Sequence, residues 1–288
     1  MFAACRALRI LAQEHSASPV TFGLVPTMGA LHDGHLSLVA AAREQCNLVA
    51  ASIFINPTQF GPNEDLASYP RDFDSDCAKL EAAGVHVLFA PDTATMYPAG
   101  NTTTVDPGPI GERLDGASRP GHFRGVATIV TRLFAIAAPD KAYFGQKDAA
   151  QVAVLRNITR DLNLPVELAV CPIVREPDGL AMSSRNRYLS AAERSRALVL
   201  SRSLTAAKDL ARSGETRAEA LTAAMLAAFD QDDPDPGARS VSVRVDYAAV
   251  VDPETLLPVG DTSNGALLAV AAVVGTTRLI DNLLLPPR

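Results

Sequence analysis

The sequence predicts an α/β protein in which a doubly wound parallel sheet precedes a smaller α+β domain. Up to about residue 174, short apolar runs typical of strands alternate with longer amphipathic runs typical of helices. Several strand-like runs are apolar at nearly every position, as expected for parallel strands that helices cover on both faces. We therefore expect a Rossmann-like domain over residues 1–175 and a smaller C-terminal domain over residues 176–288 that closes over the active site.

The first domain is expected to contain five strands and four helices. The strand-like runs cover residues 21–25, 48–55, 85–89, 142–144 and 166–174. The helix-like runs cover residues 36–45, 73–83, 126–138 and 148–162. Gly84 follows the second helical run, at the usual position of a glycine C-cap. In such a sheet a ligand lies at the carboxyl ends of the strands, so the loops that follow the strands are the candidate functional segments.

The second domain is expected to combine two helices with a small antiparallel sheet. Residues 190–213 and 216–229 are alanine-rich and amphipathic, which favours helices. Residues 230–237 are acidic and interrupted by proline, which indicates a loop. The last strand-like runs cover residues 240–251, 266–274 and 278–285.

The composition is typical of a globular protein, with 48% hydrophobic and 20% charged residues among 288. The net charge of -6 argues against a nucleic-acid partner, although it leaves room for a small anionic substrate. No secretory signal or transmembrane run is visible, so we expect a cytoplasmic protein with no membrane partner. The four cysteines form no C-x-x-C pair and are expected to be reduced thiols: Cys5, Cys46, Cys77 and Cys171.

The most informative segment is the loop between the first strand and the first helix. It comprises Met28, Gly29, Ala30, Leu31, His32, Asp33, Gly34 and His35. The glycines allow a sharp turn and the close approach of another group. The two histidines fall on the first turn of a helix, where unpaired N–H groups and the helix dipole favour an anion. The segment therefore predicts a binding site for the phosphates of a nucleotide.

Two other interpretations of this histidine pair stay open at the level of the sequence. His32 and His35 are three residues apart, a spacing also found in structural histidines and in metal ligands. An H-E-x-x-H pattern and an obvious third ligand nearby are missing, which disfavours the metal. The glycine-bearing turn after a strand favours phosphate binding, in which a histidine donates N–H bonds to oxygens that gain charge.

A second strand-to-helix turn carries Gly145, Gln146, Lys147 and Asp148. Lys147 supplies a mobile positive charge for phosphate. Asp148 is either a helix N-cap or a ligand for ribose hydroxyls. Gln151 lies four residues after Lys147, on the same side of the expected helix.

A third segment lies beside the expected domain boundary and comprises Met182, Ser183, Ser184 and Arg185. Hydroxyl groups next to a guanidinium suit the oxygens of pyrophosphate. A solvated loop is the alternative. In the first interpretation the segment closes over a nucleotide bound by the first domain.

The loop after the second strand contains Asn56 and Pro57, which give an abrupt turn that directs Gln59 toward the strand ends. An uncharged amide there suits a substrate rich in hydroxyl groups. Residues 61–71 have little periodicity and are a candidate mobile lid. The basic turn at residues 119–125 either contacts the substrate or caps the following helix.

Three acidic residues follow the candidate lid: Asp72, Asp74 and Asp76. Acids at the N-terminus of a helix are common because they complement its dipole, and contact with a metal is the alternative.

Taken together, these segments resemble the pantothenate synthetase family of pantoate–beta-alanine ligases, within the H-x-G-H nucleotidyltransferase superfamily. The matching segments occur in the family's order: residues 25–35, 54–61, 119–125, 144–151, 178–188 and 275–282. The resemblance implies that the carboxylate of pantoate attacks ATP to give pantoyl adenylate and pyrophosphate. The amine of beta-alanine then displaces AMP to give pantothenate. It further implies a Mg2+ ion on the phosphates, a cytoplasmic homodimer and a place in coenzyme A biosynthesis.

The resemblance also implies roles for individual residues. It implies that His32, His35, Lys147 and Arg185 are catalytic, with His35 foremost. It implies that Gln59 and Gln151 bind pantoate and that Asp76 lies near the Mg2+. The implied ATP contacts are Met28, Gly29, Ala30, Leu31, His32, Asp33, Gly34, His35, Gly145, Gln146, Lys147, Asp148, Val174, Met182, Ser183, Ser184 and Arg185, with Val174 on the adenine.

Two other functions stay open, namely another adenylyl-transferring enzyme of the superfamily and a nucleotide-binding regulatory protein without catalysis. Gln59 and Gln151 disfavour the first, because a phosphorylated substrate calls for cations at those positions. The chain departs from the family at Gln146, where Glu is frequent, and at Ala149 and Ala150, where an aromatic–Gln pair is frequent. These departures bear on the packing of the pocket.

Overall fold

The computed structural model describes residues 2–16, 18–62, 64–231 and 235–288, and for residues 2–6 it describes the backbone only. The chain divides into two compact units. The first comprises Met1–Gly145 and Val154–Pro172, and the second comprises Gln146–Ala153 and Ile173–Arg288. The domain boundary near residue 175 stays a prediction, and the sequence did not indicate that residues 146–153 belong with the C-terminal unit.

A five-stranded parallel sheet forms the centre of the first unit, with the strand order β3-β2-β1-β4-β5. Its strands are β1 (Phe22–Thr27), β2 (Leu48–Ile53), β3 (Val87–Phe89), β4 (Lys141–Gly145) and β5 (Glu167–Cys171). Most side chains of β1 and β2 are buried, as expected for central parallel strands. All five lie within or close to the runs that the sequence predicts.

The helices of this sheet are α1 (Phe2–Glu14), α2 (Asp33–Gln45), α3 (Phe73–Ala82), α4 (Thr93–Met96), α5 (Asp115–Ser118), α6 (His122–Ala137) and α7 (Ala149–Asp161). The sequence predicts α2, α3, α6 and α7, but not α1 or the two single-turn helices. Helix α6 also begins four residues earlier than its apolar periodicity indicates, because the predicted basic turn forms its first turn.

A second hydrophobic core belongs to the C-terminal unit. Its elements are α8 (Ala191–Ala197), α9 (Val199–Arg212), α10 (Ala218–Ala227) and the antiparallel strands β6 (Val243–Val251), β7 (Ala266–Val274) and β8 (Thr277–Leu285). Strand β7 lies between the other two and is almost completely buried. Leu200, Leu204 and Leu221 pack in the same core as β7. The prediction of a single helix over residues 190–213 is wrong, since the structure has two helices that meet at Leu198.

These features confirm the predicted fold class, a doubly wound α/β sheet followed by a small α+β unit. Cys46, Cys77 and Cys171 are free thiols, and the side chain of Cys5 lies outside the described residues. Residues 232–234 of the predicted acidic loop and Asn63 of the candidate lid also lie outside them. Across the described parts of the chain, no helix combines the length and apolar character that crossing a membrane requires.

Candidate active site

The order of the sheet identifies where a ligand is expected in the first unit. Strands β1 and β4 are neighbours, and the strands that follow each of them lie on opposite sides of this pair. The chain thus moves outward in opposite directions from β1 and from β4. This reversal of direction opens a crevice at the carboxyl ends of the two strands, the position at which doubly wound sheets bind ligands. The chain leaves β1 at Thr27 and enters the predicted phosphate loop directly.

The backbone of the phosphate loop is held in an unusual conformation. Gly29 and Ala30 both have positive φ, 81° and 51°, and this left-handed region costs a residue with a Cβ about 1 kcal/mol or more. The carboxylate of Asp76, only 1% exposed, accepts hydrogen bonds from Ala30 N at 2.7 Å and Leu31 N at 2.8 Å. Lys79 Nζ donates to Leu31 O at 2.9 Å. The first turns of α3 thus fix the shape of the loop.

The two histidines lie side by side at the start of α2. Their ring centroids are 4.1 Å apart, and His32 is the N-cap of the helix. The backbone N–H of His32 donates to His35 Nδ1 over a long 3.4 Å. Because Nδ1 accepts in this bond, the ring proton of His35 lies on Nε2. His35 is therefore a donor at the positive end of a helix, an arrangement suited to a phosphate oxygen.

Gln59 is buried, at 9% exposure, and its amide is oriented by neighbours. Asn56 Nδ2 donates to Gln59 Oε1 at 3.0 Å, and Gln59 Nε2 lies 3.2 Å from Met28 Sδ. Asn56 itself is 1% exposed and also donates to Gly125 O at 3.1 Å. The oxygen of Gln59 is thus occupied, and its N–H groups are directed toward the phosphate loop.

The sequence did not indicate a role for Asn56 beyond its turn. The structure shows that its side-chain oxygen accepts a hydrogen bond from Tyr97 Oη at 2.8 Å and one from Thr58 N at 3.3 Å. In the sequence, only the Asn–Pro pair after a strand marked Asn56 as a residue of interest. That pair did not indicate its partner Tyr97, which is 41 residues away in sequence.

The basic turn that starts α6 supports the same glutamine from the other side. His122 Nδ1 donates to Gln59 O at 2.8 Å, and Arg119 Nη2 donates to the same oxygen at 3.3 Å. Arg119 Nη1 lies 3.0 Å from His122 Nε2, so that nitrogen accepts and Nδ1 carries the proton. Burial and the neighbouring Arg119 charge lower the pKa of His122 to about 4, so the ring is neutral.

Arg119 also fastens the candidate lid. Its Nη2 lies 2.5 Å from Glu64 Oε2 and its Nε lies 2.8 Å from Oε1, a two-point ion pair. Burial raises the pKa of Glu64, but the hydrogen bond and charge of Arg119 outweigh it and leave the pKa below its usual range. The predicted alternatives for residues 119–125 were substrate contact or capping. The structure shows a third role, the positioning of Gln59 and Glu64.

The second unit contains the other predicted turn. Gln146–Asp148 form a 3₁₀ turn immediately before α7, which carries Gln151. Lys147 Nζ lies 3.6 Å from Asp148 Oδ1, and both side chains remain accessible. Asn282, on β8, donates to the backbone oxygens of Gln146 and Lys147. Sequence reasoning assigned no role to Asn282.

Val174 and the predicted serine segment are also joined in this unit. Met182 N donates to Val174 O at 3.0 Å, and Arg185 N donates to Ser183 Oγ at 3.3 Å. Ser184 is 7% exposed.

The intervening bend is braced by Glu176. Its carboxylate accepts from Asn186 Nδ2 at 2.6 Å and pairs with Arg194 at 2.5 Å. Residues 174–185 therefore form a supported loop and not a loosely solvated one.

The predicted site residues thus fall into two groups. The first unit holds Met28, Gly29, Ala30, Leu31, His32, Asp33, Gly34, His35, Gln59, Asp76 and Gly145. The second unit holds Gln146, Lys147, Asp148, Gln151, Val174, Met182, Ser183, Ser184 and Arg185. Within each unit, residues distant in sequence are brought together by specific hydrogen bonds.

A glycine-turn phosphate loop at the switch point of a doubly wound sheet defines an α/β nucleotide-binding protein. Residues 1–284 match the family model described as pantoate-beta-alanine ligase. The chain belongs to this family.

Similar proteins and structures agree with this assignment. The pantothenate synthetase of Acidobacterium capsulatum is 59% identical over 265 residues, or 92% of this chain and 86% of the relative. That of Roseiflexus sp. is 56% identical, covering 92% of both chains. The crystal structure of the Thermus thermophilus pantothenate synthetase has a TM-score of 0.87 and 48% identity, covering 96% of this chain and 98% of its own. The Francisella tularensis pantoate-beta-alanine ligase, solved with beta-gamma ATP and beta-alanine, has a TM-score of 0.73 and 31% identity over 98% of this chain and 95% of its own.

Proposed function

We propose that this protein is an ATP-dependent ligase that joins pantoate to beta-alanine, with AMP and pyrophosphate as the other products. The observation that carries the proposal is the braced phosphate loop with His32 and His35 at the N-terminus of α2, in a chain of the pantoate-beta-alanine ligase family. The substrates ATP and beta-alanine are those present in the Francisella tularensis structure.

The proposed reaction has two steps. A carboxylate oxygen of pantoate attacks the α-phosphorus of ATP, and the bond to the bridging oxygen breaks to release pyrophosphate. The amine nitrogen of beta-alanine then attacks the acyl carbon of pantoyl adenylate, the bond to AMP breaks, and the nitrogen loses a proton. The substrates supply both nucleophiles, so the protein has to align the reactants and stabilise developing charge.

The first unit is suited to both tasks. His35 Nε2–H and the N-terminus of α2 provide donors for phosphate oxygens that gain charge as pyrophosphate leaves. The N–H groups of Gln59 are oriented by Asn56 and are proposed to donate to oxygens of pantoate. An uncharged donor at this point matches a substrate with one carboxylate and hydroxyl groups.

Residues of the second unit are proposed to contact ATP as well. Lys147 and Arg185 are proposed to bind phosphate oxygens, and Ser183 and Ser184 to donate hydroxyl hydrogen bonds. Val174 is proposed to contact adenine and Gln151 to bind pantoate. The family resemblance supports these roles, together with a cytoplasmic homodimer.

The Mg2+ ion is proposed to arrive with ATP, bound to phosphate oxygens and water. Among the described residues, no group of three or more His, Cys, Asp or Glu side chains is placed to hold a metal ion. Both oxygens of Asp76 already accept backbone hydrogen bonds, so its contact with Mg2+ stays a prediction and its observed contacts are with the loop. When bound, the ion neutralises charge on the phosphates.

The test is pantoate-dependent exchange of labelled pyrophosphate into ATP without beta-alanine, followed by pantothenate formation when beta-alanine is added. We expect exchange with the wild-type protein and a loss of roughly 10²–10³-fold in His35→Ala, the scale of removing one preorganised donor. His15→Ala removes an exposed histidine and serves as the matched control. Folded wild-type protein that catalyses no exchange would refute the proposed function.

A further inference from the structure

Asn282 links the end of the chain to the turn that carries Lys147. This side chain lies on β8, is only 3% exposed, and is 135 residues from Lys147 in sequence. Its Nδ2 donates to Gln146 O at 2.9 Å and to Lys147 O at 2.8 Å. Its Oδ1 accepts from Gln146 Nε2 at 3.1 Å. One buried amide therefore makes three hydrogen bonds to two consecutive residues.

The chemistry of these contacts requires an asparagine. Two carbonyl oxygens face Nδ2, and both of its hydrogens are used. An aspartate would place a carboxylate against the two carbonyl oxygens, and an alanine would leave both without this partner. The side chain of Gln146 supplies the complementary donor for Oδ1, so the orientation of the Asn282 amide is defined by all three contacts.

The neighbouring residue extends this clamp. Asp281, 3% exposed, accepts two hydrogen bonds from Arg175, at 2.7 and 2.9 Å. It also accepts from Asn282 N at 2.8 Å, which restrains the backbone at the asparagine. Arg175 directly follows Val174 and also donates to Gly179 O at 3.0 Å. Strand β8 thus holds both the Gln146–Asp148 turn and the loop that begins at Val174.

We propose that Asn282 is a positioning residue for ATP, which sets the place of Lys147 by holding the backbone of its turn. Lysine has a long side chain with several rotatable bonds, so the position of its backbone sets the region that its ammonium group can reach. The proposal rests on the proposed function in one respect, the binding of ATP phosphates by Lys147. It adds a residue that contacts no substrate and acts through the turn.

A graded set of variants tests the proposal. Asn282→Ala removes all three hydrogen bonds, and Asn282→Asp turns two attractive contacts into repulsive ones. Leu279→Ala is the matched control, since Leu279 is a buried residue of the same strand whose side chain packs in the hydrophobic core of the second unit. It is expected to lower the melting temperature and leave ATP binding unchanged.

The measurements are the Kd of Mg-ATP by calorimetry and the KM values of ATP and pantoate in pyrophosphate exchange, at a temperature where circular dichroism shows folded protein. We expect ATP affinity to fall by more than about fivefold in Asn282→Ala and on the order of 10²-fold in Asn282→Asp, the scale of a misplaced contact. The KM of pantoate should stay within about twofold of the wild-type value. If Asn282→Asp does not fold, the comparison of Asn282→Ala with Leu279→Ala gives the same test.

The possible results separate this proposal from the proposed function. Asn282 variants that bind Mg-ATP as tightly as the wild type would overturn the positioning role, as would an equal loss in Leu279→Ala. Wild-type protein that binds Mg-ATP but catalyses no exchange would overturn the ligase function alone. Wild-type protein that binds no Mg-ATP would overturn both.

Discussion

The substitution Gly125→Ala tests whether the position of Gln59 controls the adenylation step. This glycine lies in α6, where the helix packs against the turn at residues 56–59. A Cβ added to Gly125 would lie 2.4 Å from Thr58 O and 2.7 Å from Gln59 N. Both are backbone atoms, so a side-chain rotation cannot relieve the clash. In Gly125→Ala the turn has to move away from the helix.

The size of the movement follows from the distances. Ordinary van der Waals contact begins at 3.4 Å, so the oxygen has to retreat by about 1 Å. A misplacement of that size near a reacting group costs about 10²-fold in rate. Overpacking costs about 1–3 kcal/mol, and the better helix propensity of alanine returns about 1 kcal/mol. We therefore expect a large catalytic defect with a small loss of stability.

The assay is pyrophosphate exchange at varied pantoate and at varied ATP, with stability measured by urea unfolding. We expect kcat/KM for pantoate to fall about 10²-fold. Gly260→Ala is the matched control, because a Cβ there meets nothing within 4 Å. Wild-type kinetics in Gly125→Ala would refute the reasoning, since Gln59 would then not depend on the packing of α6.

Two other predictions concern the buried groups around the site. Because the folded pKa of His122, about 4, lies below its usual value of 6.5, the unfolded chain binds more protons between these values, and stability falls as the pH drops through this window. Between about pH 7 and about pH 5, the wild-type protein should lose about 2 kcal/mol more unfolding free energy than His122→Gln. Urea unfolding at each pH measures this difference. Asp76→Asn replaces one acceptor with a donor that faces a backbone N–H, and should cost about 2–3 kcal/mol of unfolding free energy and reduce exchange.

Each of these predictions has a control. Burial also lowers the pKa of His86. Because His86 is present in both the wild type and His122→Gln, its contribution to the pH dependence cancels in their difference. A pH dependence that is identical in wild type and His122→Gln would contradict the first prediction. Asp74→Asn makes the same charge change at an exposed position of α3 and should stay within about 0.5 kcal/mol of wild type. Full recovery of Asp76→Asn by excess Mg2+ would instead indicate a metal ligand.

Much of the fold could be predicted because its signals are local. Burial on both faces makes β1 and β2 apolar at most positions, and the amphipathic pattern marks helices such as α6. The phosphate loop was visible for the same reason, since its two glycines and both histidines fall within eight consecutive residues. The break at Leu198 was not visible, because the amphipathic pattern continues through it.

The sequence alone therefore determined the fold class, the segments that carry chemistry and the family resemblance. The tertiary structure decided which distant residues hold those segments in shape: Asp76 on the phosphate loop, His122 on Gln59 and Asn282 on the turn of Lys147. These contacts join residues 45, 63 and 135 positions apart. Periodicity reports only which face of an element is buried, whereas the pairing of buried polar groups depends on strand order and helix packing.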